Sequence, residues 1–407
     1  MTMRIAVAQL GARMHYAVPK ILQRAGRLEH FYTDLYAGPL ARLVRPLTAL
    51  PGGTGLKRFL GRTAEGVPQE KVTAFFGLGI GYALRRSRAR TDESQAEVYL
   101  RTGRSFCRKL IRQGLGDATH TFTFNSAGLE WMRHARASGL KTVMEQTIAP
   151  KAYELRLLLA EQARFPGWEP PQAAALGGAL LDYCQREQAE WETADLILCG
   201  SQFVKDSIQA CQGPVERCVV VPYGVDGRPA APRRRGDGDG PLRVLTVGAA
   251  GLRKGSPTVL ETAKLAGPRC EFRMVGPLHI SAEAQAKLAG HVDVRGPVPR
   301  SSIQDHYAWA DVFFLPSVCE GSATVVYEAL AAGLPVLTTP NAGSVVTHGE
   351  DGWLAPVGAA QEMAERLLWA RDNLDALADC SVRALEKARH YDTSSYGQRL
   401  LGSLEQA

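Results

Sequence analysis

A chain of 407 residues with 45% hydrophobic and 22% charged residues has the composition of an ordinary globular protein, long enough for two or three hydrophobic cores. No apolar run reaches the ~18 residues of a membrane span. The eight cysteines, Cys107, Cys184, Cys199, Cys211, Cys218, Cys270, Cys319 and Cys380, include no C-x2-C pair, so neither a zinc site nor a disulfide framework is expected.

The net charge of +7 hides an asymmetry. Residues 1–141 carry 23 Lys and Arg against 9 Asp and Glu, and the remainder carries 25 against 32. A basic N-terminal third faces an anionic partner or is a solvated basic surface. The N-terminus runs directly into a strand-like segment, so no cleavable leader is expected and the expected location is cytoplasmic.

In chain order, residues 4–10 read as a short buried parallel strand ending at Gly11. His15 is the nearest ionisable group on the loop that follows, and a satisfied helix histidine is the alternative reading. Residues 36–112 fit no simple alternation: 41–47 and 56–62 mix apolar with basic residues, and 72–84 is uncharged between Lys71 and Arg85-Arg86. Thirteen residues are too few to span a bilayer, which leaves a buried helix or an interfacial helix on anionic lipid. The run Gly77-Leu78-Gly79-Ile80-Gly81 lacks the third glycine of a dinucleotide fingerprint and follows no first strand.

Further strands are expected at 120–124, 142–144, 196–199 and 218–221, with helical stretches between them, which is the pattern of a parallel α/β sheet. Glu161, Glu187 and Glu190 read as ordinary helix residues. The Gly/Asp-rich run 233–240 reads as a surface loop. A second strand series follows at 243–248, 271–276, 292–296, 311–316 and 335–338. Two Rossmann-like domains result, 1–225 (with the basic and apolar insert at about 36–112) and 226–390, followed by a helical tail, 391–407.

The most specific signal lies in the second series. Glu320 sits in a small glycine-containing turn after the strand-like run 311–316, and Glu328 stands eight positions later, a spacing that at 3.6 residues per turn puts both carboxylates near one face. Between them, Gly321-Ser322-Ala323 forms a small turn at a helix N-terminus, where free amides bind phosphate. Amides for a diphosphate, one acid for a sugar and one for a ribose are what holding a nucleotide sugar requires. The plainer alternative is an acidic helix start favoured by the macrodipole. Lys254 follows a strand and a glycine loop that begins at Gly248, where a cation neutralises a departing diphosphate. The order Lys254-Gly255-Ser256 is not that of a Walker A loop.

Glu320 to Glu328, together with residues 329–336, Asn341-Ala342-Gly343, residues 350–354 and the loop 247–255, resembles the E-x7-E region of the retaining glycosyltransferases of family 4. The resemblance covers about 195–407 well and the first half loosely. It implies a GT-B fold: an N-terminal acceptor domain, a C-terminal donor domain, a cleft that closes to exclude water, and a final helix crossing back to the first domain. It implies that Glu328 accepts hydrogen bonds from the donor ribose and that Glu320 lies near the donor sugar. Gly321, Ser322, Ala323 and Thr324 would supply close contacts to the sugar and diphosphate. Gly248, Gly276 and Val298 would line the donor site, the last two near the base.

The chain departs from the family where Ala249 replaces an arginine, so Arg253 is offered beside Lys254 and Glu320 as the catalytic set. It also lacks the family's N-terminal-domain histidine, which leaves Gly11, His15, Asn125 and Glu145 as acceptor-side candidates. The implied substrates are a nucleotide-diphosphate sugar and a glycan or lipid-linked acceptor, with peripheral contact to an anionic membrane. No nucleic acid, cofactor or metal is expected, since Asp237-Gly238-Asp239 lies in the loop. A nucleotide-sugar epimerase, a phosphorylase and a non-catalytic basic protein that binds nucleic acid or membrane are the alternative readings.

Overall fold

Short apolar runs ending near glycine or proline pair into two wholly parallel sheets in the computed structural model, which describes residues 3–38, 59–170, 177–226 and 240–406. The expected segments 41–47 and 56–58 and the Gly/Asp-rich run 233–239 lie outside the described residues.

The first sheet contains β1 (Ile5–Gln9), β2 (Leu28–Thr33), β3 (Val72–Ala74), β4 (His120–Phe124), β5 (Lys141–Gln146), β6 (Leu196–Cys199) and β7 (Cys218–Val220) in the order β3-β2-β1-β4-β5-β6-β7. The second contains β8 (Leu242–Val247), β9 (Cys270–Val275), β10 (Val292–Val294), β11 (Val312–Leu315), β12 (Val336–Thr338) and β13 (Gly352–Leu354) in the order β10-β9-β8-β11-β12-β13. Every residue of β1, β6 and β11 is buried. Strands covered on both faces by helices have no polar side to present, so they read as continuous apolar runs. Both orders reverse once, between β1 and β4 and between β8 and β11. Ligands of such sheets bind outside the carboxyl ends of the strands at that reversal.

The uncharged stretch 72–84 is neither a single helix nor wholly buried. Val72–Ala74 joins the sheet edge beside β2, with Phe31 opposite Val72 and Thr33 opposite Ala74. The β-branched Val72 and Thr73 suit that edge. A helix, Phe76–Arg88, then begins. Its Leu78 and Gly79 are buried, Gly79 against Leu35, whereas Phe76, Ile80 and Leu84 are 37%, 55% and 54% exposed. The helix therefore has one buried face and one exposed apolar face.

The two domains are tied by side chains that cross between them. The final helix, Thr393–Leu404, returns to the first domain and buries Tyr396, Leu400 and Leu404 in a cluster with Val18 and Ile21. Its Arg399 donates to the carbonyl oxygens of Pro222 and Tyr223 at 3.1 and 3.2 Å. In the opposite direction, Trp168 leaves the first domain after the helix Lys151–Arg164 and enters the core of the second, among Leu252, Val259 and Leu260. Its indole N–H donates to Ser256 Oγ at 2.8 Å. A tryptophan buries ~150–250 Å², worth about 4–6 kcal/mol gross at ~25 cal/mol per Å².

Candidate active site

The carboxyl end of β11 runs into a turn, residues 317–323, that the motif after β12 holds in place. Thr339 Oγ1 donates to the Ser317 carbonyl at 2.6 Å and Asn341 Nδ2 to the Val318 carbonyl at 2.8 Å. The amides of Glu320 and Ala323 donate to the carbonyls of Asn341 and Ala342 at 3.0 and 3.1 Å. The helix Thr324–Ala331 starts only after this turn. Glu320 stands in the turn, as expected, and Glu328 in the helix, but the two do not share one helical face. Ala323 has the extended conformation of a helix cap (φ −68°, ψ 101°), which breaks the helical period between them.

The turn presses directly on the first domain. Ser201 Oγ donates to the Gly321 carbonyl at 2.5 Å. A Cβ at Gly321 would fall on the carbonyl oxygen of Thr147, the residue that follows β5. Glycine is required here by close approach of the two domains rather than by backbone torsion.

Glu320 is 8% exposed and bridges two cations. Its Oε2 lies 2.9 Å from Arg253 Nη1 and its Oε1 lies 2.7 Å from Lys254 Nζ. Burial opposes the charge of Arg253, yet the nearby carboxylates of Glu320 and Glu154 hold its pKa above the ordinary value. Lys254 is 9% exposed, and its alkyl chain lies over Gly248, whose φ of 144° favours glycine. Gly276, at the end of β9, packs against the Gly248 carbonyl.

Glu328 lies one helical turn into Thr324–Ala331, and its Oε2 accepts a 2.9 Å hydrogen bond from the buried Tyr307 hydroxyl. Val298 packs, partly buried, on the apolar cluster that contains Tyr307.

A cleft of about 780 Å³ lies between the two sheets, at the carboxyl ends of both. Of the predicted residues, Gly11, Asn125, Arg253, Lys254, Glu320, Gly321 and Ser322 line it, and Gly248, Gly276, Ala323, Thr324, Glu328 and Val298 stand outside its lining. Asn125 is buried, and its Oδ1 accepts from the Thr147 amide and hydroxyl at 3.3 and 2.8 Å. The Gly11 amide donates to Asp34 Oδ1 at 2.9 Å.

Two acceptor-side candidates are placed elsewhere. His15 is exposed in a left-handed turn and does not line the cleft, whereas Arg13 does. Glu145 is 3% exposed beneath the cleft floor, where its Oε1 accepts from the Tyr223 hydroxyl at 2.5 Å.

Sequence reasoning also missed a buried acidic pair. Glu187 and Glu190 are 2% and 0% exposed. Glu190 accepts from the amides of Ser126, Gly128 and Leu129 at 2.6, 3.1 and 3.2 Å and so fixes the loop after β4. Glu187 accepts from the Lys151 amide at 2.8 Å and from Gln146 at 3.1 Å. An acidic pair three apart on a helix gives no hint of such burial, since the same spacing suits a solvated face. Segment 168–169 is a second omission: Glu169 Oε1 accepts from the Leu252 amide at 2.5 Å and closes the glycine loop from the first domain's side.

Among the described residues, no group of three or more His, Cys, Asp or Glu side chains is placed to hold a metal ion. No helix among them is long and apolar enough to cross a membrane.

Residues 241–373 match the family model described as Glycosyl transferases group 1. The chain is 30% identical over 245 residues to WcaL of Escherichia coli (strain K12), whose name assigns it to colanic acid biosynthesis as a glycosyltransferase; the match covers 56% of this chain and 60% of WcaL. It is 28% identical over 238 residues to the amylovoran biosynthesis glycosyltransferase AmsK of Erwinia amylovora, covering 54% of this chain and 58% of AmsK. The matches thus span less than two thirds of these relatives.

Among solved structures, the sucrose-phosphate synthase of Thermosynechococcus elongatus superposes with a TM-score of 0.66 at 15% identity, over 100% of this chain and 99% of that one. HepE of Anabaena in complex with UDP and glucose superposes with a TM-score of 0.61 at 14% identity, over 100% of both chains. The fold is GT-B.

Burial pushes the Glu145 carboxyl up to about 7, with the Tyr223 hydroxyl and Arg13 pulling against the shift; burial also pushes Glu187 to about 7, against the pull of the Lys151 amide. A carboxyl raised on folding keeps a proton that the unfolded chain has already released. Its contribution to stability is complete below the ordinary value of 4.5 and is lost as pH rises through about 7. The melting temperature of Glu145→Gln should therefore fall less steeply than that of the wild type between about pH 5 and pH 7.5, and Glu187→Gln should behave alike. Parallel wild-type and variant curves would contradict these assignments.

Proposed function

We propose that the chain is a retaining glycosyltransferase that moves a sugar from a nucleotide-diphosphate sugar to a glycan or lipid-linked acceptor. The observation that carries this reading is the convergence of Arg253 and Lys254 on Glu320 where the carboxyl ends of both sheets meet. In such a transfer the bond between the anomeric carbon and the diphosphate oxygen breaks. The diphosphate gains negative charge, the acceptor oxygen bonds to the anomeric carbon, and the acceptor hydroxyl gives up its proton.

Two cations poised at the cleft stabilise the charge that develops on the leaving group. Glu320 keeps those cations in place and faces the position of the donor sugar. Glu328, oriented by Tyr307, accepts from the ribose hydroxyls, and the base lies toward Gly276 and Val298. The first amides of Thr324–Ala331 suit an anionic group, as helix N-termini do, although that of Val326 already donates to the Ala323 carbonyl at 2.9 Å. The first domain, through the residues after β1, β4 and β5, presents the acceptor. The relatives named for colanic acid and amylovoran biosynthesis support a polysaccharide product.

The acceptor is proposed to lie at the inner membrane face. Phe76, Ile80 and Leu84 form an exposed apolar stripe on a helix whose last turns carry Arg85, Arg86 and Arg88. An apolar stripe flanked by arginines suits the surface of an anionic bilayer.

The donor assignment is tested by thermal shift with UDP, GDP, ADP and their sugars. A ligand that binds only the native state at 100-fold over its Kd stabilises by about 2.7 kcal/mol. One nucleotide should raise the wild-type melting temperature and do so far less for Glu328→Ala; no shift with any nucleotide would defeat the proposal. The membrane contact is tested by sedimentation with vesicles of anionic lipid. Binding should weaken as salt rises and should drop with Ile80→Ser/Leu84→Ser, and an absence of binding at low salt would rule the contact out.

A further inference from the structure

Six Lys and Arg side chains line the cleft: Arg13, Arg62, Arg86, Lys151, Arg253 and Lys254. Four have carboxylate partners. Arg253 and Lys254 pair with Glu320, Lys151 with Glu154 at 3.1 Å, and Arg62 with the buried Asp34 at 3.0 Å. Asp92, the remaining acid beside Lys151, lies 3.8 Å from the same ammonium. Arg13 and Arg86 have no carboxylate partner among the described residues, and both belong to the acceptor wall.

Arg13 is held there by its backbone. Gln9 Nε2 donates to the carbonyls of Gly11 and Arg13 at 3.0 and 3.2 Å. The next three residues, Met14, His15 and Tyr16, all take left-handed torsions with φ of 43°, 50° and 60°. Non-glycine residues seldom adopt that region, and a run of three persists only when the surroundings impose it. Tyr16 supplies the anchor: it is fully buried, and its hydroxyl donates to the Leu35 carbonyl at 2.9 Å. The Arg13 guanidinium lies 5.9 Å from the centre of the Phe124 ring and donates to Thr147 Oγ1 at 2.7 Å. That leaves donors of the fork for a ligand.

Arg86 approaches from the helix Phe76–Arg88, one turn after Tyr82. Tyr82 and Tyr99 line the same wall with ring centres 6.3 Å apart, and Tyr183 continues the row 6.0 Å beyond Tyr99. Burial raises the Tyr82 phenol above its ordinary pKa with help from Tyr99, while Arg86 and Arg13 pull against the shift, so both guanidinium groups act on one hydroxyl.

We infer that Arg13 and Arg86 form a subsite for an anionic oxygen group carried by the acceptor, a phosphate or a carboxylate adjoining a sugar that rests against Tyr82 and Tyr99. Arginine is suited to both groups because its planar fork offers paired donors to two oxygens. The inference rests on the glycosyltransferase reading for the word acceptor; the anion site itself stands on the two unpaired arginines. The exposed apolar stripe on the same helix as Arg86 and Tyr82 lets the remainder of a lipid-linked acceptor leave the cleft along that face.

The test is a calorimetric titration with three probes of one sugar: methyl glucoside, methyl glucuronide and glucose 1-phosphate. It is run with the donor site saturated by whichever nucleoside diphosphate stabilises the protein, so that Arg253 and Lys254 are occupied. If none does, the donor reading fails separately and the same titrations are run without nucleotide. At least one anionic probe should bind about tenfold more tightly than the neutral glycoside, a difference near 1.4 kcal/mol. Arg13→Gln and Arg86→Gln should each remove most of that preference, and Arg86→Lys should keep part of it. The melting temperature and nucleotide affinity of all three variants should stay at the wild-type values, which separates loss of the subsite from loss of the fold. Preference for glucose 1-phosphate identifies a phosphate-bearing acceptor, and preference for the glucuronide a uronic acid. Equal binding of neutral and anionic probes, no binding of any probe, or a preference that survives both glutamine variants would overturn the inference.

Discussion

The carboxylate of Glu320, held between Arg253 and Lys254, is the contact on which the arrangement of the cleft depends. The three residues come from two separate loops, the cations after β8 and the glutamate after β11, and the ion pairs fix one loop against the other. Bringing a lone carboxylate into so enclosed a site would cost several kcal/mol, and two cations at 2.7 and 2.9 Å offset that penalty. The Arg253 side chain is 36% exposed, so water screens its share and the more buried Lys254 contributes more. On the proposed function, a diphosphate entering the cleft would meet cations already oriented by the protein.

The rest of the molecule keeps that triad in register with the first domain. Ser201 and Thr147 contact Gly321, the residue next to Glu320, from the opposite sheet. Glu169 holds the Leu252 amide, immediately before Arg253, and Trp168 inserts beside it. The final helix closes the reverse connection through Tyr396, Leu400 and Arg399. Both loops of the triad are therefore gripped by residues of the N-terminal half, and a change in the angle between the domains acts directly on the cations and on the turn that carries Glu320. On the proposed function, closing the cleft around a donor would expel water and strengthen each of these interactions.

Most strands were legible because a strand covered on both faces reads as a short, largely apolar run even where a residue such as Arg243 or Glu271 interrupts it. The expected 311–316 and 271–276 runs differ from β11 and β9 by one residue at their ends, and 120–124 and 196–199 match β4 and β6 in full. β2 was not legible. Its sequence, Leu-Glu-His-Phe-Tyr-Thr, carries charge at its start, and only its second half is continuously buried. β3 escaped because three residues are too few to show a period, and because the apolar run continues into a helix. The shared face inferred from the spacing of Glu320 and Glu328 failed for a different reason: a Gly-Ser turn leaves the 3.6-residue period without altering the spacing of the glutamates.

Within the site, the cation loop and the glutamate turn were legible because each couples glycine to a charged residue at a strand end. The long-range partners were not. Glu187, Glu190, Trp168 and Glu169 act on loops tens of residues away, and nothing in their local pattern separates them from surface helix or loop residues. Arg13 stands two residues from the predicted Gly11 and His15, and only the left-handed turn decides which of these side chains meets the cleft.

The most direct test of the central claim is calorimetric titration of a nucleoside diphosphate into the wild type and into Lys254→Ala, Arg253→Ala and Glu320→Gln. The account predicts affinity reduced by about tenfold or more without either cation, since a charged hydrogen bond to phosphate is worth roughly 1.5–3 kcal/mol. It predicts unchanged or tighter binding in Glu320→Gln, where both cations are released to the ligand. Affinity unaltered by loss of Lys254 and Arg253 in folded protein would contradict it.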